Sequence, residues 1–172
     1  MVNHSQFMMS SELSKEIQSF ISACSDLFSS PSYSASELCA EVARKVGHHY
    51  WPSVTFFIGG KISRFEASVT QEEAAKLIAT EMRTNVTLNL GTHLTLLHVK
   101  KIESYSLNSA LCWKEWQFVP QKGSEYEGKG WKLTNIYGYR VASEGLAAGW
   151  EFVLRDEEVE SMFVATEMRF DD

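Results

Sequence analysis

Thr92 to Glu103 (THLTLLHVKKIE), Ser109 to Val119 (SALCWKEWQFV), Trp131 to Val141 (WKLTNIYGYRV) and Ala148 to Arg155 (AGWEFVLR) alternate their side-chain character every second residue. That period places successive side chains on opposite faces of a pleated strand. The pieces between them are built from turn formers: Ser106-Leu107-Asn108, the Gly/Lys/Glu-rich Pro120 to Gly130, and Ser143-Glu144-Gly145. Short connections of this kind predict antiparallel neighbours in a meander.

Working outward, the segment before this run is mainly helical. Leu13, Ile17, Phe20, Ile21, Cys24, Leu27 and Phe28 recur at helical spacing, and Pro31 stops the pattern. Ser34 with Glu37 and Thr70 with Glu73 have the spacing of capping boxes. They predict helices carrying Leu38, Cys39, Val42 and Val46, and then Ala74, Leu77, Ile78 and Met82. Between these helices, Val54 to Ile58 and Lys61 to Phe65 read as a hairpin around Gly59-Gly60. After the last strand, the acidic turn at Asp156 followed by Val159, Met162 and Phe163 predicts a short closing helix. The fold class is α+β, with residues 1–9 as a flexible leader and 10–172 as a single domain.

A length of 172 residues suffices to bury most of the apolar surface in one core. The composition, 44% hydrophobic and 22% charged, is that of a globular chain, and a net charge of -6 disfavours nucleic acid and anionic membrane as partners. No apolar run approaches the ~18 residues of a membrane span, and no signal-peptide pattern opens the chain. Cys24, Cys39 and Cys112 are odd in number and lack metal or CxxC spacing, so they read as free buried thiols in a cytoplasmic setting. His48 and His49 adjoin a helix end, where the dipole favours an imidazolium. No third ligand is suggested by spacing, so neither a metal nor another cofactor is expected. The phosphate loop, the dinucleotide fingerprint and the nucleophile elbow are all missing.

The order helix, helix, hairpin, helix and four long strands resembles the NTF2-like superfamily, and in particular its SnoaL-like branch. Gly130-Trp131-Lys132-Leu133, Tyr137-Gly138-Tyr139-Arg140 and Gly149-Trp150-Glu151-Phe152 followed by Asp156-Glu157-Glu158 carry the resemblance. It implies a cystatin-like cone of curved sheet capped by helices, with an internal cavity and a homodimer formed through the outer sheet face. Relatives include polyketide cyclases, ketosteroid-isomerase-like and scytalone-dehydratase-like enzymes, and members without catalytic activity.

Within the strands, Leu111, Trp113, Glu115, Gln117 and Val119 share one face, and Cys112, Lys114, Trp116 and Phe118 the other. Trp131, Leu133, Asn135, Tyr137 and Tyr139 likewise oppose Lys132, Thr134 and Ile136. His98 alternates with Leu94 and Leu96. Should these polar-in-aromatic faces point inward, Glu115 and His98 would act as acid and base, and Asn135 or Tyr137 would donate to an oxyanion. Trp113, Trp131 and Tyr139 would then shape a cavity for a hydrophobic cyclic small molecule. The expected activity is cofactor-independent isomerisation, cyclisation or dehydration; the alternative is a noncatalytic ligand-binding or dimerisation module. Pointing outward, the same residues would be a dimer seam, with Glu115 paired to a Lys or Arg across the sheet.

Overall fold

A computed structural model describes residues 11–29, 36–64, 71–88, 90–143 and 145–168. The elements run α1 (Ser11–Asp26), α2 (Ser36–Gly47), β1 (Tyr50–Ile58), β2 (Lys61–Arg64), α3 (Gln71–Thr87), β3 (His93–Ser106), β4 (Ser109–Val119), β5 (Trp131–Arg140), β6 (Gly149–Leu154) and α4 (Asp156–Thr166). The predicted leader, the Ser34 and Thr70 caps and the Cys39 side chain fall outside what is described.

One six-stranded sheet has the order β2-β1-β6-β5-β4-β3. The meander β3 to β6 is antiparallel throughout, as the short turns require. Gly59 and Gly60 both take positive φ (55° and 75°), which gives the two-residue turn its hairpin twist. Sequence alternation did not reveal that β1 begins at Tyr50 and runs parallel to β6, which joins the hairpin to the meander. Its register slips between Tyr50 and Thr55, where Pro52 has no N–H to offer a ladder.

The sheet curves, and one face is lined by helices. Leu13, Ile17, Ile21 and Cys24 of α1 are buried at one-turn intervals. Phe20 on the same helix meets Tyr139 and Trp150 edge-on at 5.1 and 4.9 Å between ring centres. Val42, Ala43 and Val46 of α2 join Ala75, Ile78, Ala79 and Met82 of α3 in the core, and α4 packs on β5 and β1. His49, just past α2, receives two influences of opposite sign. Burial lowers its pKa and outweighs the Lys45 and Val46 carbonyls, which raise it. The imidazolium expected at this helix end is therefore disfavoured.

Gly138 stands directly opposite Phe152 in the β5–β6 ladder, and a Cβ there would overlap the Phe152 ring. Only glycine lets the ring lie across the strand. Gly138→Ala is expected to lower stability by about 1–3 kcal/mol through overpacking. In urea denaturation, the same substitution in a Phe152→Ala background should cost measurably less; equal costs would show that the ring is not the obstacle.

Candidate functional site

The two faces of the curved sheet differ sharply in what they bury. In β4, Cys112, Lys114 and Trp116 are 0% exposed, while Trp113 and Glu115 are only half-buried. In β5, Trp131, Leu133, Asn135, Tyr137 and Tyr139 are all buried. The antiparallel register pairs Lys114 with Asn135 and Glu115 with Thr134. Lys114 therefore shares the inner face with Asn135 and Tyr137, and Glu115 lies outside.

The four residues expected to form one acid–base site accordingly divide across the sheet. His98 is the instructive case. An extra residue, Leu97, interrupts the β3–β4 register between Leu96 and His98, and a second interruption lies between Val99 and Lys101. Each β-bulge changes which face the following side chain takes. His98 is turned outward, with its side chain 56% exposed, and meets Glu115 at 3.3 Å. Lys100 Nζ binds the same carboxylate at 2.9 Å and donates to Thr134 at 2.8 Å. Hydrogen bonding from Lys100 holds the Glu115 carboxyl below its ordinary pKa, so it is an ionised member of an outer-face cluster. This is the cross-sheet pairing that competed with the catalytic role.

The three aromatic residues expected to line the cavity separate similarly. Trp113 is on the outer face beneath Lys101 Nζ, 5.0 Å from its ring centre. Tyr139 is fully buried and donates to Glu16 Oε1 at 2.6 Å, tying the sheet to α1. Trp131 stacks on Phe118 at 4.5 Å and lines a cavity.

That cavity has two adjoining parts. An inner one of about 80 Å³ is bounded by Tyr50, Phe56, Ile78, Met82, Asn135 and Tyr137, among others. An outer one of about 210 Å³ includes Trp131, Val159 and Met162. Asn85, Phe118, Arg155 and Glu158 belong to both. Mostly apolar walls with a few convergent polar groups are the usual make-up of a small-molecule site. A separate hollow of about 430 Å³ lies around Trp51, Arg140 and Glu151, where Arg140 and Glu151 are joined by hydrogen bonds of 2.6 and 3.0 Å.

The polar groups of the inner wall form a chain. Arg155 donates from Nε to Glu158 Oε2 at 2.9 Å and from Nη2 to Oε1 at 2.8 Å. Asn135 Nδ2 donates to Glu158 Oε2 at 2.7 Å. Burial alone would raise the Glu158 pKa, but the Arg155 charge and these hydrogen bonds prevail and hold it below the ordinary value. Tyr137 moves the other way: burial, reinforced by the nearby Glu158 charge, keeps its hydroxyl protonated well above neutrality. Neither Arg155 nor Glu158 was singled out from sequence for this role. Glu158 looked like an acid favouring a helix N-terminus, and only the docking of α4 on β5 shows otherwise.

Behind Tyr137 lies the other group that sequence reasoning passed over. Lys114 Nζ sits 3.6, 4.6 and 4.7 Å from the ring centres of Tyr137, Trp150 and Trp116. No hydrogen-bond acceptor reaches it among the described residues. The free thiols of Cys24 and Cys112 are close enough to act on it electrostatically. Burial pushes the Cys24 pKa up, and that of Cys112 up to about 12, so both thiols stay neutral. Burial also lowers Lys114 to about 8, with the three π-faces as compensation for the ammonium.

No protein-family model matches the chain, and no curated protein matches it in sequence. Solved structures do match it in fold. One is an NTF-2-like protein of unknown function from Shewanella oneidensis MR-1, with TM-score 0.56 and 9% identity over 82% of this chain and 96% of that one. Another is a domain of unknown function with a cystatin-like fold from Nostoc punctiforme PCC 73102, with TM-score 0.58 and 12% identity over 92% and 86%. A third is a ketosteroid isomerase-like protein from Erwinia carotovora atroseptica SCRI1043, with TM-score 0.53 and 13% identity over 84% and 95%. The chain has the NTF2-like, cystatin-like cone fold.

The caged lysine has a measurable pH signature. Its folded pKa of about 8 lies below the reference 10.5, so between those values the unfolded chain holds the proton more tightly. Stability must then rise with pH across this window. Lys114→Met, which removes the buried charge and keeps an apolar stem, should be more stable than the parent at pH 7. That advantage should shrink by about 2–3 kcal/mol by pH 10. Urea denaturation of both chains across this range provides the check; a constant difference would refute the assigned burial of the charge.

Proposed function

We propose that the cone binds one small, mainly apolar cyclic molecule, polyketide- or terpenoid-like in character, and that holding this ligand is the function the geometry supports best. The carrying observation is the distribution of polar groups. His98 and Glu115 lie across the sheet from the cavity, while Arg155, Glu158 and Asn135 inside it are engaged with one another. A carboxylate clamped by a guanidinium, with its pKa held low, is a weak general base near neutral pH.

A second reading, acid–base isomerisation, cyclisation or dehydration without a cofactor, rests on Tyr137. Its protonated hydroxyl belongs to a residue on the cavity wall, suitably placed to donate to a developing oxyanion. The ketosteroid isomerase-like fold neighbour is in keeping with that chemistry. Glu158 would then be the base, and Tyr137→Phe and Glu158→Gln would abolish turnover while retaining affinity.

Within the fold, the SnoaL-like branch stays part of this proposal through the motifs around Trp131, Tyr139 and Trp150. No described helix is long and apolar enough to cross a membrane. The free thiols of Cys24 and Cys112 support the cytoplasmic placement. The homodimer is also retained as a proposal, on the outer sheet face, where Leu97 and Val119 are exposed and Trp113 is only half-buried.

A thermal-shift panel of mono- and bicyclic alcohols and ketones tests the binding reading. At least one compound should raise Tm saturably in the parent, in His98→Ala and in Glu115→Gln, and should fail to do so in Thr92→Trp, which fills the wall of the inner cavity. A panel without any binder would overturn the reading, and conversion of a bound compound to product would favour the enzyme. For the dimer, sedimentation velocity should show a two-chain species in the parent and a monomer for Trp113→Glu; a monomeric parent removes the seam.

A further inference from the structure

The Asn135 side chain is an amide whose two ends present opposite hydrogen-bonding character, and turning it over reverses what it offers a ligand. In this chain the choice is made by a neighbour. An ionised carboxylate only accepts hydrogen bonds, so the end of the amide facing Glu158 must be the NH₂, which it meets at 2.7 Å. Glu158 cannot easily turn aside, because Arg155 grips both of its oxygens at 2.9 and 2.8 Å. Asn135 Oδ1 is consequently a fixed acceptor. The residue is 1% exposed and lines the inner cavity, and its Oδ1 has no donor among the described residues.

We propose that Glu158 sets the polarity of the cavity through Asn135, so that its ligand is a small cyclic alcohol or phenol and not the ketone of the same shape. This rests on the ligand-binding reading above and names the class of molecule it concerns. A ligand hydroxyl satisfies two wall groups at once: its proton goes to Asn135 Oδ1, and its oxygen accepts from the protonated hydroxyl of Tyr137. A ketone accepts from Tyr137 alone and leaves the buried carbonyl of Asn135 without the hydrogen bond that a hydroxyl supplies. A site built to pair with a hydroxyl rejects an analogue lacking it far more strongly than an apolar pocket rejects a missing methylene. The inner cavity of about 80 Å³, opening on one of about 210 Å³, suits a single ring with its polar end innermost.

In this scheme Glu158 is a positioning residue, and its effect is on preference more than on affinity. The probes are cyclohexanol and cyclohexanone, titrated separately into isotope-labelled protein and followed by amide chemical shifts around the cavity. The parent should bind the alcohol at least fivefold more tightly than the ketone. Glu158→Gln replaces the obligate acceptor with a group that either donates or accepts, which frees Asn135 to turn over. The alcohol-to-ketone ratio should then fall to within twofold of unity, a change that simple loosening of the wall would not produce. Equal binding of the two probes by the parent overturns the polarity assignment but leaves the pocket standing, and so does a ratio that survives in a folded Glu158→Gln chain. Neither probe shifting cavity resonances overturns the pocket as well. Should Glu158→Gln fail to fold, the ratio measured in the parent decides the matter alone.

Discussion

Curvature of the sheet is the constraint on which everything else in this molecule depends. A flat sheet would offer its helices a plane; a curved one encloses space. In β3 the curvature coincides with register interruptions at Leu97 and near Lys100, each of which sets two residues against one on β4. The interruptions keep Leu96, Val99 and Ile102 packed toward the core, although their spacing is three and not two. His98, Lys100 and Lys101 are thereby free to face outward, where they meet Glu115, Thr134 and Trp113. Enclosure on one side and an ionic surface on the other arise from the same bulges.

Enclosure makes the interior a low-dielectric medium, and this changes the meaning of each polar residue within it. On the outer face, Glu115 shares its charge between His98 and Lys100 near solvent, where such contacts are individually weak. Inside, Glu158 needs a bidentate arginine and an amide to remain ionised, and breaking such an arrangement leaves an uncompensated charge. Lys114 has no carboxylate partner among the described residues and relies on aromatic faces instead. A cation–π contact offsets about 2 kcal/mol or more when desolvated, against several for burying an ion. The lowered pKa of Lys114 is the remainder of that imbalance.

Much of the architecture was legible because it rests on local periodicity. Leu13 to Cys24 at helical spacing, the alternating strands from Ser109 and Trp131, and Gly59-Gly60 between two strands each specify an element by themselves. The parallel seam of β1 with β6 was not legible, since it joins segments about a hundred residues apart through backbone groups that leave no side-chain pattern. The site was harder still. Alternation sorts the residues of one strand into two sets, but which set of β4 joins which set of β5 depends on register. Trp113 and Trp116 make both sets of β4 look core-like, and Lys114 among Cys112, Trp116 and Phe118 gives that set a mixed character. The lysine was the misleading residue, because a buried cation without a counter-ion is rare. At His98 the alternation itself failed, since a bulge has no sequence mark there.

What the cone can do chemically follows from which of its polar groups are already committed. Glu158 is committed to Arg155 and Asn135, Tyr139 to Glu16, and Lys114 to its rings. Capacity remaining on the inner wall includes the Asn135 carbonyl oxygen beside Tyr137, one acceptor next to one donor. A pair of that kind matches a hydroxyl and carries no net charge. It can discriminate between ligands without moving a proton, because discrimination needs only fixed hydrogen-bond directions, whereas turnover also needs a group whose protonation changes during the reaction. The low pKa of Glu158 and the high pKa of Tyr137 place both groups firmly in one protonation state near neutrality. Groups held in one protonation state suit recognition better than proton transfer, which is why we propose binding before catalysis for this cavity.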